Sequence, residues 1–172
     1  MSEWGTQVGV ARARSAAVLG PVPVIDVAIV RDALAEVMDP ELPVLSVVDL
    51  GIVHHVSATR DGIEVSILPT FVGCPALDVI RASIAARLAI FGVPVRVEPT
   101  FEVPWTSDRI TPAGRAALAA VGIAPPGHEE DMRCPMCASA AVVRDGLFGP
   151  TQCRSLYYCR SCRQPFEAIK SV

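Results

Sequence analysis

The sequence predicts an α+β protein in two parts: a small αββαβ domain whose β-sheet is covered by helices, followed by a small β domain. Three observations predict it: helical apolar spacing over 24–38 and 77–91, apolar alternation on either side of an Asp-Gly turn between 50 and 69, and two Cys-x-x-Cys pairs in the last quarter. With 172 residues, 51% of them apolar and 19% charged, the chain can bury one main core plus an appendage and is not a polar, disordered tail.

The elements follow in order. Residues 1–23, split by Arg12 and Arg14 and lacking a compact apolar run behind those charges, read as a loose N-terminal extension rather than an export signal. Val27, Val30, Leu34, Val37 and Met38 recur at helical intervals and stop at Asp39-Pro40-Glu41-Leu42-Pro43, where Pro40 biases Asp39 out of the helical region. Residues 50–59 and 63–69 read as a β-hairpin, with Asp61-Gly62 expected to supply a positive φ at the turn. Pro75 suits a first helical turn, and Leu77, Ile80, Ile84, Leu88 and Phe91 continue at helical spacing to Gly92 and Pro94. Val93, Val95 and Val97 alternate as a third strand, and 111–120 predicts a short helix with Thr111 as its cap. Pro125, Pro126, Gly127 and the following acids read as a linker. The expected organisation is 1–23 extension, 24–122 first domain, 123–132 linker and 133–172 second domain.

The second domain takes its character from cysteine. Cys134, Cys137, Cys159 and Cys162 form two Cys-x-x-Cys pairs, each able to turn two thiolates toward one metal; four thiolates suit zinc or a single iron. The segment between them is too small to hold itself together by apolar burial, so it reads as a zinc-ribbon-like domain whose metal supports its folding. Cys153 is the unmatched fifth thiol, which could be a substitute ligand, a transient iron ligand or an inert core residue, with the inert or auxiliary reading favoured. Arg144, Arg154, Arg160, Arg163 and Lys170 give the ribbon a local positive balance, yet the net charge of −3 offers little attraction to nucleic acid.

Cys74 stands alone. Placed at the N-cap of the helix that starts at Pro75, its thiolate would be stabilised by free backbone amides and the helix dipole. Gly73 would leave room for a ligand. Metal ligation, nucleophilic chemistry and simple burial all remain open for Cys74; His54, His55 and His128 provide no evident general base, since two sit in a strand and one in the linker. Asp39, Glu41 and Asp49 could form a hard-metal site or serve as turn caps. Acids and arginines interrupt every apolar run short of a membrane span, and the chain is expected to be cytoplasmic.

The segment from Asp39-Pro40-Glu41-Leu42-Pro43 through Asp49-Leu50-Gly51, followed by Thr70-Phe71-Val72-Gly73-Cys74-Pro75, resembles the metal-sulfur cluster biosynthesis (DUF59) domain family, which includes iron-sulfur assembly factors of the SufT type. Phe101-Glu102-Val103-Pro104-Trp105-Thr106 and the cysteine-rich tail extend the likeness to the PaaD-type accessory family of the bacterial phenylacetyl-CoA epoxidase system. That resemblance implies aerobic phenylacetate degradation, in which a di-iron oxygenase works with a reductase carrying flavin and an iron-sulfur cluster. It implies a role in maturing these centres, with the oxygenase, the reductase and iron-sulfur assembly machinery as partners. It assigns transient iron or a cluster to Cys74, the acidic loop to Asp39, Glu41 and Asp49, and the ribbon metal to Cys134, Cys137, Cys159 and Cys162. No paired Glu-x-x-His motif is present, so the chain is not read as the oxygenase or as catalytic alone. The alternative reading is a structural adaptor that binds oxygenase or reductase without handling iron. An apolar groove on the first domain would serve a client or a second copy.

Overall fold

The computed structural model describes residues 25–172; the expected extension, 1–23, lies outside the described residues. Helix α1, Val27–Leu34, starts where the Asp26 carboxylate accepts from the Ala28 N–H at 2.8 Å. It buries Val30, Ala33 and Leu34 and stops before Met38, which is exposed rather than part of its apolar face. The chain then folds back on itself. The Asp39 N–H donates to the Leu45 carbonyl at 2.9 Å and the Val47 N–H to the Val37 carbonyl at 2.8 Å, sinking Leu42, Leu45 and Val47 into the core.

Strands β1, Val53–Ala58, and β2, Ile63–Ile67, pair antiparallel as the alternation requires. The pairing slips at His54, so Val53 and Val56 are both buried while His55 is exposed and His54 half-buried. This bulge breaks the strict period of two along the strand. Gly62 also differs from expectation: it is not among the positive-φ glycines. A Cβ there would stand 2.9 Å from the Pro94 carbonyl oxygen, so the requirement is close backbone approach rather than turn conformation.

Helix α2, Leu77–Leu88, returns the chain to β3, Val95–Pro99, which lies parallel to β2 in the sheet order β1-β2-β3. The buried side of α2 is Ile80, Ile84 and Leu88. Helix α1 contacts β1, α2 contacts β3, and the helices contact each other, forming one helical layer on the sheet. Helix α3, Pro112–Ala120, begins as the sequence predicts, with the Thr111 hydroxyl accepting from the Gly114 N–H at 3.0 Å. Gly51, at φ +71°, could carry no side chain, because a Cβ would lie 2.3 Å from the Arg109 carbonyl oxygen. The Trp105 indole N–H donates to the Leu50 carbonyl at 3.0 Å from a buried position. The Asp-Leu-Gly turn is therefore clamped from both sides.

The second sheet has the order β4-β7-β6-β5, built from β4 (Ile123–Ala124), β5 (Val142–Gly146), β6 (Arg154–Cys159) and β7 (Pro165–Ile169). β4 falls inside the stretch read as a linker and pairs parallel with β7. Two residues carry no periodicity to reveal a strand. The apolar cluster of this sheet comprises Ala124, Met132, Cys134, Tyr157, Cys159, Phe166 and Ala168, with the Tyr157 and Phe166 rings stacked at 5.6 Å. Ile169, at the end of β7, belongs instead to the core of the first domain. Among the described residues, no helix is long and apolar enough to cross a membrane.

Candidate metal centres

The two Cys-x-x-Cys pairs form matching knuckles. In one, the Ala138 N–H donates to the Cys134 carbonyl at 2.8 Å; in the other, the Arg163 N–H donates to the Cys159 carbonyl at 2.9 Å. The residue after each second cysteine, Ala138 and Arg163, takes a positive φ (57° and 60°) without being glycine. Such conformations are costly for side-chain-bearing residues and persist where surrounding structure holds them. The Ser139 and Ser161 hydroxyls join the knuckles at 2.7 Å.

The four Sγ atoms lie within 4.8 Å of one another, with Cys134–Cys162 and Cys137–Cys159 each at 3.6 Å. A tetrahedral zinc with sulfur at about 2.3 Å places its ligands roughly 3.8 Å apart, so the donor set fits. The backbone N–H groups of Cys162 and Ser161 pull the Cys159 thiol down to about 7, whereas desolvation, aided by the neighbouring thiols, pushes Cys162 up to about 12. Four sulfurs this close hold protons unequally, and a cation at their centre removes the conflict.

Cys153 is not part of this group. It precedes β6 whereas Cys159 ends it, and six residues of extended chain span roughly 20 Å. The expectation of an auxiliary ribbon ligand is corrected on that ground: the strand carries Cys153 to the opposite end of the ribbon.

There it meets Cys74. Both thiols line a cavity of about 330 Å³ with Glu41, Phe71, Phe148 and Thr151, and both line an adjoining narrow pocket that includes Asp39. The helix begins later than the sequence suggests: the Ile80 N–H donates to the Ala76 carbonyl, so Ala76 occupies the cap position and Pro75 belongs to a preceding turn. Cys74 is thus not the N-cap. Burial pushes its thiol up and the charges of Glu41, Asp39 and Cys153 add to this, against the opposing Ala76 N–H. The expected stabilised thiolate is not found: the thiol is held above its ordinary pKa. Gly73, at φ +92°, has open space where a side chain would point.

The acidic residues divide. Asp39 is buried, and one of its carboxylate oxygens accepts from the Glu41 and Leu42 N–H groups, both at 2.8 Å; burial pushes its carboxyl pKa up despite these bonds. Glu41 lines the cavity. Asp49 does not: its two oxygens accept from the hydroxyls of Ser46 and Thr111 at 2.7 Å each, tying the loop to the start of α3. Arg154 joins the two domains, donating to the Glu167 carboxylate, to the Thr151 hydroxyl at 2.9 Å and to the Glu41 carbonyl at 3.4 Å. Arg144 pairs with Glu129 at 3.5 Å and the Lys170 ammonium donates to the Gln152 carbonyl at 2.7 Å, so three of the five ribbon cations are engaged within the molecule. That Cys74 and Cys153 line one cavity is not readable from the sequence, which offers iron ligation only as one of several roles for Cys153.

Residues 120–170 match the family described as PaaD zinc beta ribbon domain, and residues 28–101 match the family described as iron-sulfur cluster assembly protein. The chain is 38% identical over 147 residues to the D component of the putative 1,2-phenylacetyl-CoA epoxidase of Escherichia coli (strain K12), covering 81% of this chain and 89% of that protein. Among solved structures, it is similar to a domain of unknown function DUF59 from Bacillus anthracis (27% identity, 55% of this chain and 90% of that one, TM-score 0.48). It is also similar to a conserved hypothetical protein from Thermotoga maritima (32% identity, 54% and 93%, TM-score 0.48).

Proposed function

We propose that this chain, which belongs to the PaaD family of 1,2-phenylacetyl-CoA epoxidase components, assists iron or iron-sulfur cluster assembly in the oxygenase or its reductase during aerobic phenylacetate degradation. Cys74 is the transient ligand in this reading, with Asp39 and Glu41 beside it. The observation that carries it is the separation of two thiol sites: four cysteines grouped around one point in the ribbon, and Cys74 with Glu41 at an accessible cavity elsewhere. Four thiolates complete a tetrahedron and suit a structural ion. A site mixing soft sulfur with hard carboxylate oxygen leaves coordination positions for a client's ligands.

In the ribbon, Cys134, Cys137, Cys159 and Cys162 hold the resident metal, for which zinc is the best fit; when bound, it contributes folding free energy. Asp49 acts by positioning, since its carboxylate is committed to Ser46 and Thr111. Phe71, Val72 and Phe148, all exposed near the Cys74 cavity, favour contact with a protein client. That observation also suits an adaptor that handles no iron, so the experiment separates the two.

The test is elemental analysis and absorption spectroscopy of wild type and Cys74→Ala purified without oxygen, together with the iron content of the epoxidase components from the same cells. The assembly reading expects the ribbon metal in both proteins, iron beyond it only in wild type, and iron-poor client in the variant. Equal client loading with Cys74→Ala would overturn it in favour of the adaptor.

A further inference from the structure

We infer that Cys153, delivered from the ribbon, is the second thiol ligand of the Cys74 site, so that the iron-handling centre is assembled across both domains. The inference rests on the assembly reading of Cys74 and adds a ligand to it. Three features support it.

Cys74 and Cys153 share the walls of both the open cavity and the narrow pocket beneath it, although they belong to different domains. The loop before β6 is also fixed in place. Lys170 donates its backbone N–H to the Cys153 carbonyl at 2.9 Å and its ammonium to the Gln152 carbonyl at 2.7 Å, and it lies 3.9 Å over the Phe148 ring. Arg154 bonds Thr151 on one side and the Glu41 carbonyl on the other, holding the loop against the acidic turn. A thiol on a loop stitched this way is presented rather than left to wander, which a ligand requires. Finally, Cys153 lies outside both apolar clusters, although apolar side chains wall the narrow pocket it shares with Cys74, and its sulfur is oriented by a hydrogen bond with the Thr151 hydroxyl at 3.2 Å.

Two thiols make a soft donor pair for iron, supplied either as the free ferrous ion or as an iron of a preformed cluster. Binding requires no change of oxidation state. Each thiol exchanges its proton for a sulfur–iron bond, releasing two protons to solvent, and leaves the remaining iron positions to carboxylate, sulfide or a client ligand. The ribbon thus contributes chemistry to the first domain, and neither domain alone contains the complete pair.

The experiment uses the full chain with its ribbon metal loaded as zinc, in anaerobic titration with ferrous ion alone and, in a second arm, with ferrous ion plus sulfide. Wild type, Cys153→Ser, Cys153→Ala and Cys74→Ser are compared by sulfur-to-iron absorption, with zinc content and thermal unfolding as checks on folding. The expected result is that both Cys153 variants stay folded, bind iron at least tenfold more weakly and show about half the cysteine-dependent absorption. The arm that gives saturable binding identifies the form of iron accepted. Wild-type affinity and absorption in both Cys153 variants would overturn the inference while leaving Cys74 as the sole thiol ligand. Wild-type behaviour in Cys74→Ser as well, or no binding by any chain, would overturn the assembly reading itself.

Discussion

The two thiol sites use the same element of chemistry to opposite ends. In the ribbon, four sulfurs converge from two short knuckles that are each nearly complete within a few residues of sequence. At the Cys74 cavity, one sulfur sits in the loop before α2, another before β6, and the carboxylates come from a third segment. The first arrangement brings four like-charged thiolates to one point, which an ion would neutralise; the second is positioned by elements that carry their own apolar core. On the proposed function, a metal held to stabilise and iron held to be passed on differ in which part of the chain supplies the rigidity.

The strongest way to break this contrast is to strip the ribbon metal with a tight chelator under reducing conditions and follow amide exchange. We expect β5, β6 and β7 to lose protection, because seven cluster residues cannot hold four strands, while the β1–β2 hairpin remains protected by its own core. Persistent protection of β5–β7 in the metal-free protein would show that the ribbon folds unaided.

A smaller effect is expected from Arg154→Ala, which removes the bonds to Glu167, Thr151 and the Glu41 carbonyl at once. The Arg154 side chain is only 12% exposed, so the loss should cost about 2 kcal/mol in urea unfolding and speed exchange around 148–153. An unchanged midpoint would mean that the seam is held by apolar contacts alone.

The smallest effect sharpens the contrast through charge. The folded state raises the pKa of Asp39 above the ordinary 3.8, so it binds the proton more tightly than the unfolded chain does. Stability from this group is accordingly greatest at low pH and falls as pH climbs from about 4 through the folded value. Asp39→Asn keeps an oxygen for the Glu41 and Leu42 N–H groups and removes the charge. We expect its melting temperature to equal or slightly exceed wild type at pH 7, with the advantage fading near pH 4, whereas Asp39→Ala should lose about 1 kcal/mol with the turn. A clear loss of stability in Asp39→Asn at pH 7 would show that the carboxylate is held for the fold rather than for its charge at the cavity.

Legibility in the sequence follows the range of the interactions. The Cys-x-x-Cys pairs, the Thr111 cap and the apolar spacing of α1 and α2 are readable because each is decided within a few residues. The His54 bulge, the contact of Gly62 with Pro94 and the two-residue strand β4 depend on a neighbour distant in the chain, which local patterning does not encode. The same limit applies to the site. Asp39, Glu41 and Asp49 look equivalent as acids beside a proline turn, yet only packing decides that Ser46 and Thr111 capture Asp49. Cys153 can be placed only once the direction of β6 is known.

The short pairing of β4 with β7 bears on how such a chain can be cut and recombined. A ribbon severed after Ala124 would leave the outer flank of β7 as an open edge with unpaired backbone groups, inviting another chain to add itself there. One severed just before Ile123 keeps that flank covered, but bares Ile169, which is buried in the core of the first domain. Neither breakpoint yields two clean modules, so the halves would be inherited most safely as a single cassette, however separable their motifs look in sequence.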